Sequence, residues 1–207
     1  MPPPSPKPII VWFRNDLRLS DHPALHAAAQ SGQPVICLYV LDEDSAPLRP
    51  PRGRPIGSAS RWWLAQSLRS LDQSLKALGT SLVLRRGDTA SVIAEIARQA
   101  NASAVHWIES DIAGPAAAER DVARALGDIG ATARSFPSDL LVRPASLRNK
   151  EGRGLRVFTP FWKRVLSLGD PPRPLPAPKV LKPGPPIETD DLASWSLEPA
   201  HPDWAAG

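Results

Sequence analysis

Cysteine is nearly absent from this chain of 207 residues, which contains a single one, Cys37. One cysteine cannot build an internal disulfide framework or a multi-cysteine metal site, and its position inside an apolar run fits a reducing cytoplasm. No apolar run reaches the ~18 residues that a membrane helix needs, and the proline-rich N-terminus lacks the charged-then-apolar plan of a signal peptide. The sequence therefore predicts a soluble, cytoplasmic protein with no membrane partner.

The common catalytic and phosphate-binding motifs are missing too. No G-x-G-x-x-G follows the first predicted strand, and neither G-x-x-x-x-G-K-[ST] nor G-x-S-x-G occurs. The histidines show no metal-ligand spacing, and we interpret His22 and His26 as a solvent-facing pair on one helix. These absences argue against a phosphate cradle of the usual kind, a hydrolase nucleophile and a metal centre.

Proline, by contrast, is abundant, with 25 residues or more than twice the usual share. The prolines cluster at 2–8, at 47–55 and above all at 171–186, which predicts connecting segments outside the core. Apolar residues make up 42% of the chain, enough to bury one domain. The net charge of +4 and the pI near 9.6 permit contact with nucleic acid but are weak support for it.

Strand and helix patterns alternate over residues 7–137. Five short runs typical of strands are separated by longer helical patterns, and every connection is too long for a hairpin. The sequence therefore predicts an α/β fold with a doubly wound, five-stranded parallel sheet of Rossmann-like type. The predicted strands are 9–13, 35–41, 81–84, 104–108 and 132–136, and the predicted helices are 23–32, 58–78, 89–100 and 115–127.

Beyond Pro137 this alternation stops. We interpret 138–169 as a docking segment with a short helix over 158–168, and 170–207 as a proline-rich interdomain linker in polyproline geometry. Large apolar side chains in such a tail are typical of anchors for a partner. Five aromatic residues are expected to form the largest exposed patch: Phe158, Phe161, Trp162, Trp195 and Trp204.

The turn after the first strand contains Arg14, Asp16 and Arg18, and Asp21 is the expected N-cap of the next helix. Ligands of open α/β sheets bind where strands end and helices begin, so this turn predicts a crevice that fits a flat conjugated ligand better than hydrolysis. The alternative is structural, with ion pairs that shape the turn, ordinary core residues and a surface arginine. The candidate ligand contacts are Arg14, Tyr39, Val40, Leu41, Arg61 and Asp111.

Two segments resemble signatures of the DNA photolyase and cryptochrome family. Residues 12–25 read W-F-R-N-D-L-R-L-S-D-H-P-A-L, like the opening signature of the family, and residues 156–164 read R-V-F-T-P-F-W-K-R, like its TPFW segment. The resemblance covers residues 7–204 but only the first part of the family's length. It implies that this chain is the N-terminal α/β antenna domain, with an FAD-binding helical domain missing after it.

The resemblance also implies a function, the light-dependent repair of pyrimidine dimers in damaged DNA. FAD performs that chemistry and would bind only with the missing C-terminal domain or an equivalent chain, so we expect this chain alone to be inactive. The α/β domain would hold a light-harvesting chromophore, because Tyr39-Val40-Leu41, the Ser-Ala-Ser-Arg run ending at Arg61, and Asp111-Ile112 resemble a deazaflavin-type pocket. The folate partners expected after the fourth strand are missing, which favours a deazaflavin or flavin over methenyltetrahydrofolate and leaves an empty pocket as an alternative.

Two other functions are left open by the sequence. A cryptochrome-type blue-light photoreceptor, which signals and does not repair, would share every feature described above. A stand-alone nucleotide-binding module would place an adenine nucleotide in the same crevice, although the absent glycine-rich loop argues against it.

Overall fold

A five-stranded sheet forms the centre of the protein. The computed structural model describes residues 6–43, 45, 56–137 and 140–199. Four strands have the predicted bounds. The third begins one residue later and ends two residues later than predicted, because Arg85 and Arg86 pair with the end of the second strand. The strands are β1 (Ile9–Phe13), β2 (Val35–Leu41), β3 (Leu82–Arg86), β4 (Ala104–Ile108) and β5 (Thr132–Phe136).

Helices lie between the strands and after the last one. Each begins within two residues of its predicted start, and no helix in the described ranges is long and apolar enough to cross a membrane. They are α1 (Pro23–Gln30), α2 (Ser58–Ala77), α3 (Thr89–Gln99), α4 (Ala113–Gly127) and α5 (Phe158–Leu166).

All strand pairs are parallel, and their order across the sheet is β3-β2-β1-β4-β5. The central strand β1 pairs on both sides, with Val11 opposite Cys37 of β2 and opposite His106 of β4. The chain adds β2 and β3 on one side of β1, and α3 then returns it to the other side. This confirms the predicted fold class and puts the change of direction between β1 and β4.

The strands β1, β2 and β4 are buried on both faces, which explains their uninterrupted apolar runs. Alternate side chains point to opposite layers. Ile10, Trp12 and Val40 pack with α3 and α4, whereas Val11, Phe13 and Tyr39 pack with α1 and α2.

The start of α1 differs from the prediction. His22, and not Asp21, is the N-cap, because its Nδ1 accepts a hydrogen bond from the N–H of Leu25 at 3.1 Å. Asp21 has a left-handed φ of 50° and is held by Leu175, whose carbonyl oxygen accepts from its N–H at 2.8 Å. His22 is 1% exposed, so the prediction of a solvent-facing His22/His26 pair was wrong.

The C-terminal segment is hydrogen-bonded to the domain at several points, although most of its described residues are exposed. The N–H groups of Leu181 and Gly184 donate to the carbonyl oxygens of Leu78 and Val35, and that of Asp190 donates to Leu84 on the outer edge of β3. The prolines supply no N–H groups, but these residues between and after them do. The segment therefore covers one edge of the sheet.

The expected aromatic patch is only partly present. Phe158 and Trp162 are exposed and Phe161 is half-buried. Trp195 was predicted to be exposed, but it is 2% exposed and belongs to the α1/α2 layer of the core. Trp204 lies outside the described residues.

Gly184 provides a test of this packing. A Cβ at this position would overlap Cγ1 of Ile36 and would lie 3.4 Å from the carbonyl oxygen of Val35. Gly184→Ala is expected to lower the free energy of unfolding by about 1–3 kcal/mol, because the core there has no room. Urea denaturation followed by far-UV circular dichroism measures the change.

Gly154→Ala is the matched control. Gly154 is exposed and lies outside the helices, and nothing lies within 4 Å of an added Cβ. Its effect should stay within about 0.5 kcal/mol. Equal effects of the two substitutions would show that the C-terminal segment is not packed on β2 as described.

Candidate functional site

The six predicted contact residues form two groups at the carboxyl edge of the sheet. Tyr39 and Leu41 point towards α2, where Arg61 lies, because alternate residues of β2 share a face. Val40 points to the opposite layer. Arg14 contacts Glu119 of α4 and Trp12, which puts it on the side of that second layer, and Asp111 lies just before α4.

The group near α2 is built around Trp195. The ring of Tyr39 lies 6.2 Å from that of Trp195, and Trp195 Nε1 donates to Asp190 Oδ2 at 3.2 Å. The guanidinium of Arg61 donates to Glu43 and, at 3.4 Å, to the carbonyl oxygen of Trp195.

A second arginine completes the polar rim of this group, since Arg86 Nη2 lies 2.8 Å from the other oxygen of Glu43. Burial, with the Glu43 carboxylate as a second cause, raises the pKa of Tyr39, so its phenol stays protonated. The group is therefore a packed cluster, in which Tyr39, Leu41 and Trp195 are buried and the ion pair of Arg61 and Glu43 lies at its edge.

The residues near α4 make a different set of contacts from those of the group near α2. Arg14 Nη1 lies 2.8 Å from Glu119 Oε1, its Nη2 donates to the carbonyl oxygen of Ile108, and its guanidinium stacks 4.7 Å above the Trp12 ring. Glu119 also accepts from the N–H of Ser110 at 2.7 Å. Arg14 thus ties β1 to β4 and α4, which favours the structural alternative, whereas Asp111 is exposed.

A buried pair that the sequence analysis missed occupies the turn between β1 and α1. Asp16 Oδ1 accepts from the N–H of Arg14 at 2.7 Å, and Asp16 Oδ2 faces His22 Nε2 at 3.1 Å. That contact lacks good hydrogen-bond alignment, and neither atom has another partner in the described part of the chain. Burial opposes ionisation of Asp16, but the contacts with His22 and Arg14 prevail and lower its pKa.

This turn does not fit the pyrophosphate of a dinucleotide. A dinucleotide-binding turn needs free N–H groups at the helix N-terminus, but the N–H of Leu25 donates to His22 and the turn is filled by the Asp16–His22 pair. Across the described ranges, no three His, Cys, Asp or Glu residues lie close enough together to hold a metal ion.

A sequence model of the family described as DNA photolyase matches residues 9–179. The chain belongs to the photolyase and cryptochrome family. It is 38% identical over 204 residues to the deoxyribodipyrimidine photo-lyase of Agrobacterium fabrum, covering 96% of this chain and 40% of that protein. It is 39% identical over 177 residues to cryptochrome-1 of Arabidopsis thaliana, covering 83% of this chain and 25% of that protein.

Solved structures agree with this membership. A bacterial class III photolyase from Agrobacterium tumefaciens superposes with a TM-score of 0.85 at 39% identity, over 97% of this chain and 40% of that one. A cryptochrome from Synechocystis sp. PCC6803 gives a TM-score of 0.81 at 28% identity, over 94% and 41%. This member of the family thus spans about 40% of the length of the Agrobacterium fabrum protein and of the two solved structures, and 25% of the length of Arabidopsis thaliana cryptochrome-1.

Proposed function

We propose that this chain is the α/β part of a photolyase that repairs pyrimidine dimers in DNA under light. The observation that carries the proposal is its 38% identity to a photolyase over 96% of its length. Similarity to plant cryptochromes covers 83–86% of the chain, so a blue-light photoreceptor is the second candidate. A light-dependent partner in a binding assay, without repair, would favour that candidate.

In this proposal the flavin that donates an electron to the dimer binds outside the present sequence. The turn between β1 and α1 offers no cradle for its phosphates, because His22 and Asp16 occupy it. The residues of this chain then hold the sheet edge in shape. Arg14 fixes the ends of β1 and β4, and the C-terminal segment fixes the outer edge of β3.

A chimera tests the proposed function. This chain replaces the matched part of the Agrobacterium fabrum photolyase, and visible-light repair of a dimer-containing oligonucleotide is measured. We expect repair by the chimera that depends on light and FAD, and no repair by the 207-residue chain alone. A chimera that binds FAD and does not repair, or repair by the chain alone above a no-protein control, would contradict the proposal.

We also propose an antenna chromophore, a flavin or deazaflavin in preference to a folate, at the group around Arg61. Aromatic side chains beside a charged donor suit a conjugated ring with polar edges. Arg61 is the rim donor in reach of a ring edge, since its side chain is 23% exposed. Arg14, Val40 and Asp111 lie with the other layer, so they do not share one ring face with this group.

Arg61→Ala should reduce chromophore binding about tenfold, the effect of losing one hydrogen bond from a charged group. The measurement is the near-ultraviolet and visible spectrum of the purified protein, followed by acid release and identification of the compound. Arg85→Ala is the control, because Arg85 of β3 makes a similar ion pair with Glu95 of α3. A spectrum without any band, or equal occupancy in both variants, would contradict the antenna proposal.

A further inference from the structure

Arg86, the last residue of β3, points to the side of the sheet that contains the group around Arg61. Leu82 and Leu84 of the same strand belong to the α1/α2 layer of the core, and Arg86 follows at the same spacing of two residues. In the sheet register Arg86 lies opposite Leu41, which is in that layer too. The side chain of Arg86 therefore lies at the carboxyl end of the strands, beside the candidate ligand contacts on that face.

One carboxylate binds two arginines at this edge of the sheet. Glu43 Oε1 accepts from Arg61, and Glu43 Oε2 accepts from Nη2 of Arg86 at 2.8 Å. Arg61 also donates to a backbone carbonyl, whereas Arg86 has no second hydrogen bond within the described part of the chain. A guanidinium has several N–H donors, and half of this side chain is exposed. One positive charge and most of the donors of Arg86 therefore remain without a partner there.

Three further carboxylates near this edge are engaged with other groups. Asp42 and Asp88 accept hydrogen bonds from N–H groups in the first turn of α3, where the helix dipole favours negative charge. Asp190 accepts the indole N–H of Trp195. The two arginines therefore share Glu43 and keep a local excess of positive charge, which attracts an anion.

We infer that the ligand of this site carries a phosphate in its tail, and that Arg86 is the residue that selects it. The inference rests on the proposed antenna chromophore, whose flavin or deazaflavin ring would lie beside Arg61. Glu43 fixes Arg86 through one nitrogen, which leaves its other N–H groups as a planar fork that matches a phosphate. A tail with a neutral end would leave that guanidinium without an anionic partner. Arg86 thus determines the choice between two ligands with the same ring.

Riboflavin and flavin mononucleotide test this inference, because they share one ring and differ only in the phosphate of the tail. Titration of each with the 207-residue protein, followed by flavin fluorescence, gives the ratio of the two dissociation constants. We expect flavin mononucleotide to bind at least about tenfold more tightly, the effect of hydrogen bonds to a charged group, and the preference to weaken at high salt. Arg86→Ala should bring the ratio close to one and change the binding of riboflavin little.

Arg85→Ala is the matched control. Arg85 is the neighbouring arginine of the same strand, but it points to the other side of the sheet and pairs with Glu95 of α3, so its removal should leave the ratio unchanged. Glu43→Gln is a second variant with the opposite effect, because the loss of the shared negative charge should raise the ratio about threefold. Impaired folding cannot produce that increase.

The outcomes separate this inference from the antenna proposal. Equal binding of the two flavins by the wild type, or a ratio that persists in Arg86→Ala, overturns the inference and leaves the antenna proposal standing. A ratio that falls in Glu43→Gln overturns the inference as well. Binding of neither flavin rejects both, so the titration with riboflavin shows which of the two has failed.

Discussion

Trp195→Ala is expected to lower the free energy of unfolding by about 3–5 kcal/mol, the usual cost of removing a large aromatic side chain from a core. Trp195 is 2% exposed, lies in the same cluster as Leu181 and Leu197, and contacts the ring of Tyr39. The substitution would also leave Asp190 without the indole N–H that it accepts. No local pattern in the sequence predicts so large an effect in a tail that contains so many prolines.

Trp63→Ala is the matched control for this prediction. Trp63 is also a tryptophan, but it is 68% exposed, so its removal should change the free energy of unfolding by no more than about 0.5 kcal/mol. Both are measured by urea denaturation followed by far-UV circular dichroism, which does not depend on the lost fluorophore. Equal effects of the two substitutions would mean that the C-terminal segment is detached in solution.

The strands of the sheet could be predicted because each one is specified by its own short stretch of sequence. A strand buried on both faces must be apolar at every position, and β1, β2 and β4 satisfy this in their sequences. The alternation with helices then limits the topology to parallel crossovers. β5 is the exception, since four of its five residues are exposed, yet its spacing after α4 was sufficient to predict it.

The packing of the C-terminal segment could not be predicted in the same way. Its prolines indicate an extended chain, but they do not indicate what that chain contacts. The hydrogen bonds that hold it join Leu181 to Leu78 and Asp190 to Leu84, residues about a hundred positions apart. The N-cap of α1 could not be predicted from local sequence either. Asp21 is the more usual type of cap residue, but it bonds to Leu175, far away in the sequence, and His22 caps the helix instead.

The candidate site was predicted as a set of residues but not as an arrangement. The alternation of β2 already implies that Val40 points away from Tyr39 and Leu41, a signal that the sequence analysis left unused. No comparable pattern in the sequence predicts which carboxylates pair with Arg61 and Arg14. Glu43 follows β2 and Glu119 lies within α4, and the sequence does not show which arginine each carboxylate meets.

A substitution in the buried pair of Asp16 and His22 is the second change expected to have a large effect on the free energy of unfolding. Removing one member of a buried, paired polar group leaves the other without compensation, which is more costly than the pair is stabilising. Asp16→Asn keeps the size of the side chain and an oxygen for the N–H of Arg14. It removes the charge opposite His22 Nε2, and that atom has no alternative partner in the described part of the chain.

Asp16→Asn should therefore lower the free energy of unfolding at neutral pH by about 3 kcal/mol. Because the pKa of Asp16 is lower in the folded protein than its ordinary value of 3.8, the carboxylate stabilises the fold above that pH. That contribution is lost as the pH falls from 3.8 through the folded pKa, so the wild type should approach the variant there. Urea denaturation over this range measures the difference, with Asp121→Asn, a partly exposed aspartate on α4, as the control within about 0.5 kcal/mol. A difference that does not shrink on acidification would place the stabilisation elsewhere than in the charge of Asp16.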